Sequence, residues 1–66
     1  MRIDEEFGDA VLSFVRERYP EERKSVAIEK LASELGCSVV YVWQMVKGRV
    51  PGIRLSQGLE SLGFRF

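Results

Sequence analysis

The sequence contains no histidine and only one cysteine, Cys37. A single cysteine excludes an intrachain disulfide, and without histidine a closed zinc site built from cysteine and histidine ligands is not expected. No apolar run approaches the ~20 residues that a helix needs to cross a bilayer. Because small domains bury only about 60% of the surface of the unfolded chain, we expect this one to depend on close helix packing or self-association.

The chain also lacks the features of an exported protein. Its first six residues, Met-Arg-Ile-Asp-Glu-Glu, do not follow the basic and then apolar layout of a signal peptide. Together with the free thiol, this predicts a cytoplasmic protein. Apolar residues make up 45% of the chain and charged residues 30%, which is typical of a folded domain, here a single one over residues 1–66.

Net charge is zero, but the charges are distributed unevenly. Residues 1–36 carry six basic and nine acidic side chains, whereas residues 37–66 carry four basic side chains and one acid, Glu60. A neutral protein with one basic half can still present a basic face to phosphate groups. An uneven split also arises by chance in a short chain, so charge alone does not define a function.

Apolar periodicity predicts an all-α domain of four to five helices. The first helix is expected at residues 5–19, with Asp4 as its N-cap and Pro20 as its end. Ser25 is the expected N-cap of the second helix, and Gly36 provides the left-handed residue that follows it.

The third helix is expected to run from Val39 to about Lys47, after the N-cap Ser38. A fourth should begin near Pro51, in its first turn, and end at Gly63. Residues 64–66 alternate aromatic and basic side chains, which is compatible with a short extended tail.

The second and third helices are joined by a tight turn, Gly36-Cys37-Ser38. A short turn containing glycine between two helices is typical of a helix-turn-helix. The small side chain of Ala32 lets the two helices approach closely. The side chains expected to fill the wedge between them are Leu31, Leu35, Cys37, Val42 and Met45.

The stretch IEKLASELGCSVVYVWQMVKG, residues 28–48, resembles the helix-turn-helix of phage Cro and repressor proteins and of related antitoxin-type regulators. The segment from Val50 to Glu60 is similar to the run that follows this motif in Cro-like and YdaS-like domains of the XRE group. The resemblance covers roughly residues 25–63, with the helix-turn-helix itself at 25–48. The matching residues within the motif are Leu31, Ala32, Leu35, Gly36, Cys37, Ser38, Val42, Gln44, Met45, Lys47 and Gly48.

This resemblance implies a sequence-specific double-stranded DNA-binding protein, a repressor of phage or plasmid type, whose third helix reads the major groove. Two features depart from the family pattern. Ile28 stands where the family often has a glutamine that touches phosphate. The third helix is unusually apolar, and Trp43 replaces a residue that is often small and polar.

The resemblance implies that four side chains of the third helix are candidates for contact with bases: Val39, Val40, Trp43 and Gln44. The Gln44 amide can pair with adenine in a bidentate manner, and Val40 can contact a thymine methyl. Each has an alternative, since Gln44 could be an ordinary solvated residue and Val40 part of a packed helix. Trp43 shares a face of the helix with Val42 and Val46, which favours the core or an interface for Trp43, and Val39 lies at the border of that face.

The candidate phosphate contacts are Ser38, Lys47, Arg49 and Arg54. The basic three follow the third helix with no acid among them, although most surface cations only aid solubility. Ser38 is also explained by its role as a cap. No catalytic constellation, metal site or cofactor motif is visible, so we do not expect an enzyme or a cofactor.

Two copies are expected, because a single small module makes few contacts and half-sites lie about one turn of DNA apart. Phe64 and Phe66 are the candidates for this homodimer interface, as aromatics expected to be exposed at the terminus. The alternative function is a protein-interaction module, or an antitoxin, whose apolar third helix binds a partner protein.

Overall fold

A computed structural model describes residues 3–66. Met1 and Arg2, the first two residues of the N-terminal segment that is not expected to be a signal peptide, lie outside the described residues. The described chain forms helices and no strand, which confirms the all-α prediction. The four helices are α1 (Glu5–Arg18), α2 (Lys24–Leu35), α3 (Val39–Val46) and α4 (Ile53–Ser61).

Helix α1 begins where the sequence predicts. The Asp4 carboxylate accepts a hydrogen bond from the Phe7 amide at 3.1 Å, and Glu5 and Glu6 lie in the first turn, at the positive end of the helix dipole. One face of the helix buries Phe7 and Val11, together with Val15 one turn further on.

Helix α2 begins earlier than predicted. Ser25 is its second residue and not its N-cap, because the first helical hydrogen bond runs from the Ala27 amide to the Arg23 carbonyl at 2.9 Å. At the other end Gly36 adopts a left-handed conformation, with φ of 71°, as expected for the residue that reverses the chain into the turn.

Helix α4 starts later than predicted. Pro51 is buried ahead of the helix, and Gly52 is the N-cap, whose carbonyl accepts from the Ser56 amide at 3.1 Å. The tail at residues 64–66 forms no strand. Within residues 3–66 the isolated β-bridge is the antiparallel pair of Ile3 and Arg49, which ties the start of the chain to the segment after α3.

The core lies where α1, α2 and α3 meet, and α4 covers one side of it. The predicted wedge is present: Leu31, Val42 and Met45 are fully buried, and Leu35 and Cys37 are half-buried against them. The buried apolar side chains are Phe7, Val11, Val15, Ala27, Ile28, Leu31, Ala32, Val42, Met45, Leu59 and Phe64.

One arginine joins the ends of three helices. The Arg18 guanidinium donates to both carboxylate oxygens of Glu34, at 3.0 and 2.5 Å, and to the carbonyl of Leu62 at 3.3 Å. These hydrogen bonds hold the pKa of Glu34 below its ordinary value and raise that of Arg18. The group therefore fixes the ends of α1, α2 and α4 relative to one another.

Candidate nucleic-acid interface

The direction of α3 is set by the turn that precedes it. The Cys37 amide donates to the Ala32 carbonyl at 3.0 Å, which closes the end of α2. The Ser38 hydroxyl oxygen then accepts from the Tyr41 amide at 3.2 Å, as its predicted role as N-cap requires. Burial raises the pKa of the Cys37 thiol, so this side chain is less ionised than a free thiol. Ser38 itself is exposed.

Most of the apolar surface of α3 faces inward. Val42 and Met45 are buried, and Val39, Trp43 and Val46 are half-buried against the core. Val40 is different, because 65% of its side-chain surface is exposed. The apolar character of the helix is therefore explained mainly by packing on α1 and α2.

The outward face of α3 carries Val40, Gln44 and Lys47, which recur at i, i+4 and i+7 and so share one side of the helix. Lys47 is exposed and Gln44 is half-buried. Arg54, on α4, is exposed as well. No acidic residue occurs between Cys37 and Leu59, so the segments that flank this face contribute only positive charge.

Gln44 is held by an arginine. The Arg49 guanidinium donates from Nη1 to the Gln44 side-chain oxygen, and it lies 5.2 Å from the centre of the Tyr41 ring. The Arg49 amide also donates to the main-chain carbonyl of Gln44 at 3.0 Å. Arg49, predicted as a phosphate contact, therefore lies half-buried beside the candidate base-reading residue.

Trp43 lies at the border of the core. Its ring is half-buried, and the ammonium group of Lys24 lies 5.5 Å from the ring centre. Lys24 is the first residue of α2, so a cation at the start of α2 adjoins α3. This agrees with the preference for Trp43 as a packed residue and leaves only part of its ring accessible.

Only one of the two terminal phenylalanines is exposed, although both were expected to be. Phe64 is only 6% exposed, with its ring edge-on to Phe7 at 5.8 Å and to Phe14 at 5.4 Å. The expectation that Phe64 is exposed is therefore wrong, because the residue closes the core of its own chain, and its part in a dimer interface stays a prediction. Phe66 is 69% exposed, although it contacts Phe7 edge-on at 5.4 Å.

The sequence argument missed two residues of this region, Lys24 and Tyr41. Lys24 was missed because Ser25 was expected to be the N-cap, which placed Lys24 before the second helix. Tyr41 lies three residues before Gln44, a spacing that places both on one side of α3, and this signal could have identified it.

Comparisons of this chain with protein-family models, with curated proteins and with solved structures give no significant match. The likeness to Cro-type domains therefore rests on the residues of the motif. Along residues 3–66, no helix combines the length and the apolar character that crossing a membrane requires.

Proposed function

We propose that the chain is a double-stranded DNA-binding transcriptional regulator, a repressor of phage or plasmid type, without enzymatic activity and acting in a bacterial cytoplasm. Helix α3 enters the major groove, and the start of α2 lies against the sugar-phosphate backbone. The observation that carries this proposal is the outward face of α3, where Gln44 and Lys47 project from a helix whose other sides pack on the core.

The cations around this face support the same function. Lys47 and Arg54 are exposed, and Lys24 adds a third cation at the start of α2. Ser38 keeps a hydroxyl hydrogen for donation, since its oxygen is the acceptor in the cap. Contacts of these types position a protein on DNA without reading its sequence.

The alternative was that an apolar α3 binds a partner protein, as in an interaction module or an antitoxin. Among the apolar side chains of α3, Val40 alone is well exposed, because the others are buried or half-buried. A helix that docks into a groove of a partner needs several exposed apolar anchors on one face. This observation favours DNA over a protein groove as the ligand of α3.

The test is the salt dependence of binding to a labelled random-sequence duplex, followed by fluorescence anisotropy. Contact with three to five phosphates predicts a log–log slope of affinity against salt of about −2.7 to −4.5, since each contact contributes about −0.9. A flat salt response, or no binding by folded protein at low salt, would contradict the proposal and favour the protein-interaction alternative.

We further propose that the regulator acts as a homodimer through an open groove of about 710 Å³ near its C-terminus. The groove lies between the start of α1, α4 and the tail. Of the four exposed large apolar side chains among residues 3–66, one lines the groove and two are close in sequence to residues that line it. Phe66 lines the groove, Ile3 precedes the lining residue Asp4, and Ile53 lies one turn before the lining residue Ser56.

The charges of the groove suit a second copy of the same chain. Glu60 and Arg65 both line it, and under a two-fold axis each can face its opposite in the partner. Sedimentation should therefore show a concentration-dependent dimer that Phe66→Ser or Arg65→Glu weakens. The double variant Arg65→Glu with Glu60→Arg should restore it. A wild-type protein that stays monomeric at ~100 μM, well above a micromolar Kd, would refute this interface.

A further inference from the structure

The contact between Gln44 and Arg49 fixes which atoms of Gln44 are free. A guanidinium group donates and cannot accept hydrogen bonds. The atom of the Gln44 side chain that faces it must therefore be the carbonyl oxygen, and the NH₂ group must point the other way. The chemistry of arginine determines this assignment of the amide.

Arg49 is itself held in place by three further contacts. Its amide donates to the Gln44 main-chain carbonyl at 3.0 Å, and its guanidinium lies over the ring of Tyr41 at 5.2 Å. The β-bridge to Ile3 fixes its backbone as well. The two side chains form a preorganised unit, called here the Gln44–Arg49 pair.

This arrangement alters the hydrogen-bonding character of Gln44. Bidentate pairing with adenine requires the amide to donate to N7 and to accept from the N6 amino group. One of the two lone pairs of the Gln44 oxygen accepts from Arg49, so the NH₂ of Gln44 and the remaining N–H groups of Arg49 give the unit an excess of donors beside a positive charge. In the major groove, guanine is the base that presents two adjacent acceptors, N7 and O6.

We infer that the Gln44–Arg49 pair reads guanine, and that Arg49 acts as the specificity-determining residue and not as a phosphate contact. This inference rests on the proposed function, since it names the base that the same face selects. Guanine takes the place of the adenine that Gln44 would read without Arg49.

The experiment is selection from a random double-stranded DNA pool with the wild-type protein, Arg49→Ala and Gln44→Ala. The wild type should enrich guanine at one position of each half-site. In Arg49→Ala the Gln44 oxygen is released, so the preference at that position should change from guanine to adenine. In Gln44→Ala the preference should weaken. Arg54→Ala serves as the matched control, and it should weaken binding to all sequences without changing the preferred base.

A second arm tests the acceptor directly. Replacing the enriched guanine by 7-deazaguanine removes N7 and should weaken wild-type binding by ~10- to 100-fold, and should affect the Arg49→Ala variant much less. The side-chain NH₂ resonances of Gln44 in the DNA-free protein should also shift in Arg49→Ala, which reports the contact even if DNA affinity becomes low. Thermal melting of each variant shows that it is folded.

Two outcomes overturn the inference in distinguishable ways. If the wild type binds DNA but enriches adenine at this position, or if Arg49→Ala weakens all sequences equally with the same motif, the inference is wrong and the DNA-binding function stands. If the folded wild type retains no DNA at low salt, the proposed function fails, and the inference fails with it.

Discussion

Gly8 of α1 lies directly against Val46 at the end of α3. A Cβ atom on Gly8 would lie 2.5 Å from the Val46 carbonyl oxygen and 2.8 Å from the Gly48 amide nitrogen. Real side chains do not tolerate such distances, so the two helices can approach this closely only because residue 8 is glycine. This approach fixes α1 against the C-terminal end of the helix that we propose to enter DNA.

Gly8→Ala should therefore destabilise the protein by roughly 1–3 kcal/mol, as overpacking of a tight contact usually does. The cost of the steric clash should outweigh the ~1 kcal/mol by which alanine is otherwise favoured over glycine inside a helix. Urea denaturation of wild type and variant measures the difference in the free energy of unfolding.

Gly58→Ala, in α4, is the matched control. Its Cβ would meet one atom within 4 Å, the Cδ2 end of the Leu35 side chain at 3.2 Å, which can move aside. We expect this variant to be close to wild type or slightly more stable. Equal losses in the two variants would mean that the approach of α1 to α3 is not tighter than an ordinary helix contact.

Glu34→Gln should make stability less dependent on pH in the acid range. The pKa of Glu34 is lowered in the folded protein by its hydrogen bonds to Arg18. The contribution of Glu34 to the free energy of unfolding is therefore fully present above its unfolded pKa of about 4.3. That contribution disappears as the pH falls through the lower folded pKa. The wild type should be more stable than the variant at pH 7, and the difference between them should shrink as the pH falls through the folded pKa.

Glu29→Gln removes one negative charge from the same helix without touching Arg18, and it controls for the change in net charge. Urea denaturation at a series of pH values provides the comparison. A constant difference between wild type and Glu34→Gln down to pH 3 would show that the ion pair does not shift this carboxylate.

Tyr19→Phe should leave stability unchanged or raise it. The Tyr19 hydroxyl is buried, and it has no hydrogen-bond partner among residues 3–66. An unsatisfied buried polar group costs about 1–3 kcal/mol, and phenylalanine keeps the ring while removing that group. Thermal and urea denaturation measure the effect, and a clear loss of stability would reveal a hydrogen bond to a buried water.

Lys47→Ala and Lys24→Ala should each weaken binding to all DNA sequences alike and reduce the salt slope by about one. Lys30→Ala removes the same charge from α2, but Lys30 is paired with Glu22 at 3.0 Å, so it should leave the slope nearly unchanged. Anisotropy titrations at several salt concentrations give the slopes. If Lys30→Ala changed the salt slope as much as Lys47→Ala, the charges would act through a diffuse electrostatic effect and not through a defined DNA-binding face.

The sequence predicted the features that depend on neighbouring residues, such as helix caps and turns. Asp4 and Ser38 cap their helices as expected, and Gly36 reverses the chain in the left-handed conformation. The sequence did not predict the burial of Phe64. The short tail after α4 has no periodicity, and the burial of Phe64 depends on contacts with Phe7 and Phe14, which are distant in sequence. A local sequence pattern does not predict a contact between segments that are distant in sequence.

The candidate site was predicted in the same uneven way. The outward position of Gln44 was implied by the resemblance to Cro-type motifs, but its contact with Arg49 crosses the turn at Gly48 and depends on the path of the chain after α3. Gly8 gave a weak signal, since a glycine inside a helix suggests a close approach, but the sequence did not indicate which element approaches it.

The most direct test of the account is an NMR titration of the ¹⁵N-labelled protein with a 16-base-pair duplex at low salt. We expect the largest shifts at Ser38, Val40, Gln44 and Lys47, with smaller ones near Lys24, and we expect added salt to reverse them. Shifts confined to the groove near Phe66, or no shifts at all, would contradict the claim that the outward face of α3 binds DNA.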